Sequence, residues 1–87
     1  MKTTLRKSFV KDAVKLPPYI QKQLAEIISE IELAKELSEI VNCKKLKGFK
    51  TAFRIRWGQY RIGFYFENNT VELVRILQRK NIYKFFP

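Results

Sequence analysis

From Tyr19 onward apolar residues recur at intervals of three and four. Tyr19, Ile20, Leu24, Ile27, Ile28 and Ile31 fall on one face, while Lys22, Glu26, Glu30 and Glu32 fall on the other. That period predicts an amphipathic helix opened by Pro18, since a proline in the first turn gives up only an amide with no intrahelical partner. Upstream, TTLRKSF (3–9) reads as a short opening strand and FVKDAVKL (9–16) as a first helix with Phe9, Ala13 and Leu16 on its inner side. The LPP break separates the two helices. Past Ile31 the period is lost, and in AKELSEIVNCKKLKGFK only Leu37, Ile40 and Leu46 read as core anchors before Gly48 marks a turn.

Beyond Gly48 the period changes to two. Three strands are predicted over 51–57, 60–67 and 70–77, joined by Gly58-Gln59 and Asn68-Asn69, pairs suited to two-residue turns that need positive φ. RKNIYKFFP then forms a short terminal segment docked through Ile82, Phe85 or Phe86. The expected fold class is α+β: an N-terminal short strand and two helices packed on an antiparallel three-strand meander, closed by a C-terminal segment. With 87 residues the chain allows one domain, 1–87.

If Gly58-Gln59 is the whole loop, Trp57 pairs with Tyr60, Arg56 with Arg61, Ile55 with Ile62, Arg54 with Gly63 and Phe53 with Phe64. Alternation then places Phe53, Ile55, Trp57, Tyr60, Ile62 and Phe64 against the long helix and Arg54, Arg56 and Arg61 on the opposite face, with Gly63 an open floor beside Arg54. Trp57, alternating with Ile55, reads as core. The next turn poses a difficulty. A two-residue Asn68-Asn69 loop puts Arg75 on the apolar face opposite Ile62, and Val74 and Ile76 beside Arg61. Either that loop is one residue longer, or the terminal segment covers Val74 and Ile76 while Arg75 escapes at an edge.

Charge sharpens the picture of the arginine face. The net charge of +10 is concentrated: residues 1–16 carry five Lys and Arg against one acid, residues 17–42 two against five, and residues 43–87 eleven against two. Such clustering points to a polyanion, most simply nucleic acid, bound by the C-terminal half; the competing reading is a surface charged for solubility. Like charges paired across strands cost up to about 1 kcal/mol. A phosphodiester ligand explains why three arginines face one another, because the planar guanidinium donates two parallel hydrogen bonds to phosphate oxygens. Lys44, Lys45, Lys47 and Lys50 read as a rim contacting the nucleic-acid backbone, or else as a solvated loop.

Other chemistry is absent from the residue inventory. A single cysteine, Cys43, excludes an intramolecular disulfide, and without histidine no metal site or cofactor is expected. No apolar run approaches a membrane span or a signal-peptide core, so the expected compartment is the cytoplasm, with no membrane partner.

KKLKGFKTAFRIRWGQYRIGFYFENNTVELVRILQRKNIYKFFP, residues 44–87, resembles the C-terminal half of RelE/ParE-superfamily toxins of bacterial type II toxin–antitoxin pairs, especially the RelE-like mRNA interferases. The likeness is carried by LKG before the first long strand, by the paired RIR and YRI strands, and by the closing run of an apolar residue followed by Arg79, Lys80, Ile82 and Tyr83. It implies a RelE-like fold and a ribosome-dependent, metal-independent endoribonuclease that cleaves mRNA in the ribosomal A site by 2′-hydroxyl attack. It also implies a cognate antitoxin that neutralises the toxin. By position Arg61 matches the family's catalytic arginine, Arg79 a second arginine after the last strand, and Tyr83 the tyrosine closing the site. Arg54 and Arg56 match its basic pair, and with Lys45, Lys47, Lys50 and Lys80 would hold RNA.

One departure bears on the chemistry. Many relatives carry a histidine where this chain has Gln78, whose amide donates and accepts hydrogen bonds but does not titrate. Proton transfer would fall to Tyr83, to Lys80 or to a lysine of the 44–50 run, or be replaced by electrostatic stabilisation and by geometry the ribosome imposes. Tyr83 has a second reading as a ring capping the core with its hydroxyl in water. Two other functions stay open: a ParE-like toxin that inhibits gyrase, and an RNA-binding protein of this fold with weakened activity.

Overall fold

Five strands form one sheet: β1 (Lys2–Leu5), β2 (Cys43–Lys45), β3 (Ala52–Trp57), β4 (Tyr60–Glu67) and β5 (Thr70–Gln78), in the spatial order β1-β5-β4-β3-β2. Three helices, α1 (Lys7–Ala13), α2 (Pro18–Leu33) and α3 (Ile82–Phe85), complete the computed structural model, which describes residues 1–87. The α+β class and the meander agree with the sequence reading. Two features extend it. β2, a stretch without a clear period, pairs antiparallel with β3, and β1 joins the far edge parallel to β5. The terminal segment is itself a short helix, and no helix is long and apolar enough to cross a membrane.

The opening strand ends at Leu5 rather than Phe9, and α1 runs beside the rest of β5 as a substitute for a strand. Arg6 N–H donates to Leu73 O at 2.9 Å, Ser8 Oγ to Val74 O at 2.6 Å, and Ile76 N–H to Asp12 Oδ2 at 3.1 Å. One main-chain amide and two side chains thus pair edge groups that a neighbouring strand would otherwise pair. At the LPP break, Gln21 Nε2 reaches back to the carbonyls of Ala13, Val14 and Leu16, satisfying oxygens left over at the end of α1.

The expected difficulty at Arg75 is resolved by a third route. Asn68 and Asn69, at φ 53° and 56°, do form a two-residue turn that pairs Glu67 with Thr70. A β-bulge between Gly63 and Phe64 then resets the register: Phe64 faces Leu73 but Gly63 faces Arg75. The extra residue, Val74, returns Ile76 to the α2 face opposite Ile62 and turns Arg75 to the other face. Of the two apolar residues, Val74 alone comes to lie under the terminal segment.

The sheet consequently has an apolar cluster on each side. Phe9, Leu24 and Ile31 from the helices close over Ile55, Ile62, Phe64, Val71, Leu73 and Ile76. On the other side Ile82 and Phe86 cover Ala52 and Val74, with Leu46, Tyr65 and Leu77 packed around them. Burying one such large apolar side chain stabilises by about 1.5–3 kcal/mol, so the second cluster is enough to hold a four-residue helix in place.

Candidate functional site

The β3–β4 hairpin has the register expected from its sequence. Trp57 faces Tyr60 across the turn, Arg56 faces Arg61 and Arg54 faces Gly63, while Gly58 takes φ 56° at the first turn position. Arg54, Arg56 and Arg61 therefore share the face opposite α2. Gly63, in contrast, is not an open floor. The ring of Phe86 occupies the space its side chain would take, because the bulge and α3 bring the terminal segment down onto the centre of the sheet.

Arg61 is buried to 8% exposure, which sets it apart from the other basic residues of this face. Its Nη1 donates to the carbonyl oxygens of Gly58 and Tyr60, each at 2.9 Å, so the hairpin turn fixes the guanidinium plane. Nε and Nη2, the side-on fork, make no hydrogen bond within the protein. Every fully buried side-chain polar atom has a partner, so these two nitrogens reach solvent. They are positioned to grip two oxygens of one anion.

Arg61 lines a hollow of about 570 Å³ together with Gly58, Gln59, Gln78, Arg79, Lys80 and Tyr83. Arg79 N–H donates to Gln59 O at 2.8 Å, which ties the end of β5 to the β3–β4 turn and sets Arg79 beside Arg61. Tyr83 is 58% exposed and lines the hollow, which removes the core-capping reading of its ring. Gln78 is exposed at the same rim. Three cations and no carboxylate line this space.

The electrostatics follow from that inventory. The Arg61 guanidinium is held below the usual arginine range, first by burial, then by the neighbouring charges of Arg79 and Arg54, with Tyr83 opposing and Arg56 adding to the depression. A phosphate entering the hollow relieves that repulsion. Burial and like charge both favour an anionic partner for Arg61.

The remaining basic residues are sorted by the fold. Arg54 Nη1 donates to Asn42 O at 2.8 Å, at the start of β2, and stands half-buried beside the hollow. Arg56, exposed at the edge of β3 beyond its last pair with β2, also borders a different cleft, about 210 Å³ between α2 and β3, together with Ile27, Ile40 and Trp57. β2 pairs Lys44 with Arg54 and Lys45 with Phe53, so Lys44 joins the arginine face and Lys45 leans to the α2 side. Lys47 and Lys50 belong with Lys45 to a shallow loop depression at the far end of β3, roughly 17 Å of strand from the turn that holds Arg61. The lysines expected to contact RNA are thus divided by the fold: Lys80 lines the hollow, Lys44 borders Arg54, and Lys45, Lys47 and Lys50 form a separate patch. The signal that sorts them is alternation in a three-residue strand, too short for sequence period to reveal.

Such an arrangement can bind one phosphate tightly and stabilise negative charge that accumulates on it, with Tyr83 and Lys80 the groups at the rim able to exchange a proton. A family model described as the ParE toxin of type II toxin–antitoxin systems, parDE, matches residues 4–83. The chain is 40% identical to Toxin RelE3 of Methanocaldococcus jannaschii over 88 residues, 100% of both chains. A chain of the RelB–RelE antitoxin–toxin complex from Methanococcus jannaschii superimposes with a TM-score of 0.81 at 38% identity, covering 97% of this chain and 99% of that one. The archaeal RelE–RelB complex from Pyrococcus horikoshii gives 0.73 at 20% identity, covering 93% and 97%, and shares the fold. With a family model spanning most of its length and a full-length relative at 40% identity, the chain belongs to the RelE/ParE family of type II toxins.

Proposed function

We propose that the chain is the toxin of a toxin–antitoxin pair and acts in the cytoplasm as a ribosome-dependent endoribonuclease on mRNA, neutralised by a cognate antitoxin. The observation that carries this reading is the Arg61 guanidinium, buried, anchored on two turn carbonyls with its side-on fork unpaired, and lining a hollow shared with Arg79, Lys80 and Tyr83. A residue that only bound RNA would not need so fixed an orientation.

In this mechanism the scissile phosphate lies on the Arg61 fork, with Arg79 on a second oxygen. The 2′-oxygen of the preceding nucleotide attacks phosphorus as it gives up its proton, and the bond to the 5′-oxygen breaks, leaving a 2′,3′-cyclic phosphate and a 5′-hydroxyl. Charge on the non-bridging oxygens rises on the way, and the arginines bind that state more tightly than the starting diester. Tyr83 and Lys80 serve the entering and leaving oxygens, and the ribosome aligns the sugar for in-line attack. Arg54 and Lys44 hold the adjoining backbone.

The test is expression of the chain with and without its antitoxin, followed by mapping of mRNA 5′ ends. New 5′-hydroxyl ends within translated codons, absent with Arg61→Ala, are expected. The family model is named for ParE, so the contrary outcome has a definite form: intact mRNA with inhibited gyrase assigns the chain to that branch.

A further inference from the structure

Gly63 stands at the centre of β4, opposite Arg54 on one side and Arg75 on the other. A Cβ there would lie 2.5 Å from Phe86 Cδ2 and 2.6 Å from its Cγ, closer than real Cβ atoms come to anything. The φ of Gly63 lies outside the left-handed region, so its backbone does not require glycine. What the position requires is the absence of a side chain. It is a socket, and the ring of Phe86, 2% exposed and 5.2 Å from the ring of Tyr65, fills it.

The socket lies on the same face as Arg61, two residues along β4, roughly 7 Å away. Phe86 N–H donates to Ile82 O at 2.8 Å, which locks both buried residues of the terminal segment into one turn. Tyr83 follows Ile82 on the other side of that turn and faces the hollow. A four-residue helix has no stability of its own, so its position is set by its anchors. Phe85 adds a lateral one, its ring 5.3 Å from the Arg75 guanidinium.

We propose that Phe86 seated in the Gly63 socket is the positioning device of the site: by fixing α3 on the sheet it holds Tyr83 over Arg61. The catalytic consequence rests on the nuclease reading above; the structural coupling does not. β4 is held by strands on both sides, whereas α3 hangs from the Arg79–Asn81 turn, so a methyl group at residue 63 displaces α3 rather than the sheet.

The experiment is a size exchange. Gly63→Ala is expected to raise amide exchange across 82–86 roughly tenfold or more while Ile62 and Leu73 keep their protection. It should move the Arg61 Nε–H resonance toward its value in Tyr83→Ala. Turnover should fall roughly 10²-fold with RNA affinity within about twofold, the pattern of a misplaced rather than a missing group. Phe86→Leu in the Gly63→Ala background, which makes room for the methyl, should restore most of the exchange protection, the Arg61 resonance and turnover. Phe86→Ala, which empties the socket without touching the sheet, should act in the same direction as Gly63→Ala. Unchanged exchange at 82–86 in Gly63→Ala, or a loss that Phe86→Leu fails to restore, overturns the proposal. A wild-type chain that cleaves no mRNA overturns the nuclease reading alone, because exchange and the Arg61 resonance still judge the socket.

Discussion

Asp12 and Arg75 form a two-point ion pair across 63 residues of sequence, Nε to Oδ2 at 2.7 Å and Nη2 to Oδ1 at 3.0 Å. Asp12 Oδ2 also accepts the Ile76 N–H. The pair does three things at once: it seals the edge of β5 with α1, it gives the turned-out Arg75 a partner, and it presents Arg75 to the ring of Phe85 in α3.

Asp12→Ala should therefore be costly for a single carboxylate. It strands a buried backbone N–H and leaves a half-buried guanidinium unpaired, a loss of about 3 kcal/mol. Arg6 and Glu72 provide the control on the same edge. That pair is 46% and 38% exposed, and removing it should cost at most about 1 kcal/mol. Urea denaturation of Asp12→Ala and Arg6→Ala compares them, and equal midpoints would show that α1 does not depend on its carboxylate.

Arg61 and Arg54 are expected to fail differently. On the proposed mechanism Arg61 acts mainly as charge builds, so Arg61→Ala should lower turnover roughly 10²- to 10³-fold with binding nearly intact. Arg61→Lys should not rescue it, since an ammonium cannot hold two turn carbonyls and present a planar fork as well. Arg54→Ala should weaken RNA binding more than turnover. Single-turnover cleavage on ribosomes at varied toxin concentration separates the two, and a loss confined to affinity in Arg61→Ala would place the scissile phosphate elsewhere.

Strand register predicts a difference between adjacent lysines. Lys44 pairs with Arg54 and shares its face, while Lys45 pairs with Phe53. Lys44→Ala should reduce the logarithmic salt dependence of single-stranded RNA binding by about 0.7, the share of one neutralised phosphate, and Lys45→Ala by less than half of that. Fluorescence anisotropy titrations at several salt concentrations measure both. Equal reductions would mean that the RNA follows the loop rather than the arginine face.

Burial pushes the Cys43 thiol up, against the lowering influence of Arg54. A raised pKa means less thiolate at any given pH, so alkylation by iodoacetamide should be slower than for a free cysteine at pH 8 and still climbing at pH 9. Arg54→Ala removes the opposing charge and should slow it further. A rate that levels off below pH 8 would contradict the burial.

The hairpin was legible because its period of two, its Gly58-Gln59 turn and its arginine spacing all specify the same register, which the structure matches pair by pair. Residue-by-residue resemblance also picked out Arg61, Arg79 and Tyr83, which converge on one hollow. The bulge at Val74 was not legible. Alternation fixes which residues share a face only while pairing is regular, and nothing in VELVRILQ marks where one extra residue enters. β2 escaped for a related reason: three residues carry no period, and Cys43–Lys45 is a strand because β3 offers it an edge. Alternation alone leaves Gly63 as open space, because the ring that fills it, Phe86, comes from a terminal segment that no strand period places.

Gln78 occupies the rim of the hollow with Arg61, Arg79, Lys80 and Tyr83, where an amide can orient water or sugar but carries no proton to exchange. Gln78→His adds such a group. An imidazole there would have cations as neighbours, so its pKa should fall below the ordinary value of about 6.5 and the ring should be neutral, hence basic, at pH 7. Turnover is expected to rise roughly tenfold, short of the roughly 10²-fold or more that a fully aligned base contributes, because the surrounding site is not built around an imidazole. The rate should climb with pH through a step below 6.5 and be level at neutrality, a step the parent protein lacks. If Tyr83 performs proton transfer in the parent, the added histidine should also make Tyr83→Phe less damaging, because a second acceptor then stands at the same phosphate. Single-turnover rates between pH 5 and 8 for the four combinations of these two substitutions decide the matter. An unchanged rate and pH profile in Gln78→His would place residue 78 outside proton reach of the reacting oxygens, and the burden of catalysis would then rest on the arginines and the ribosome's alignment of the substrate.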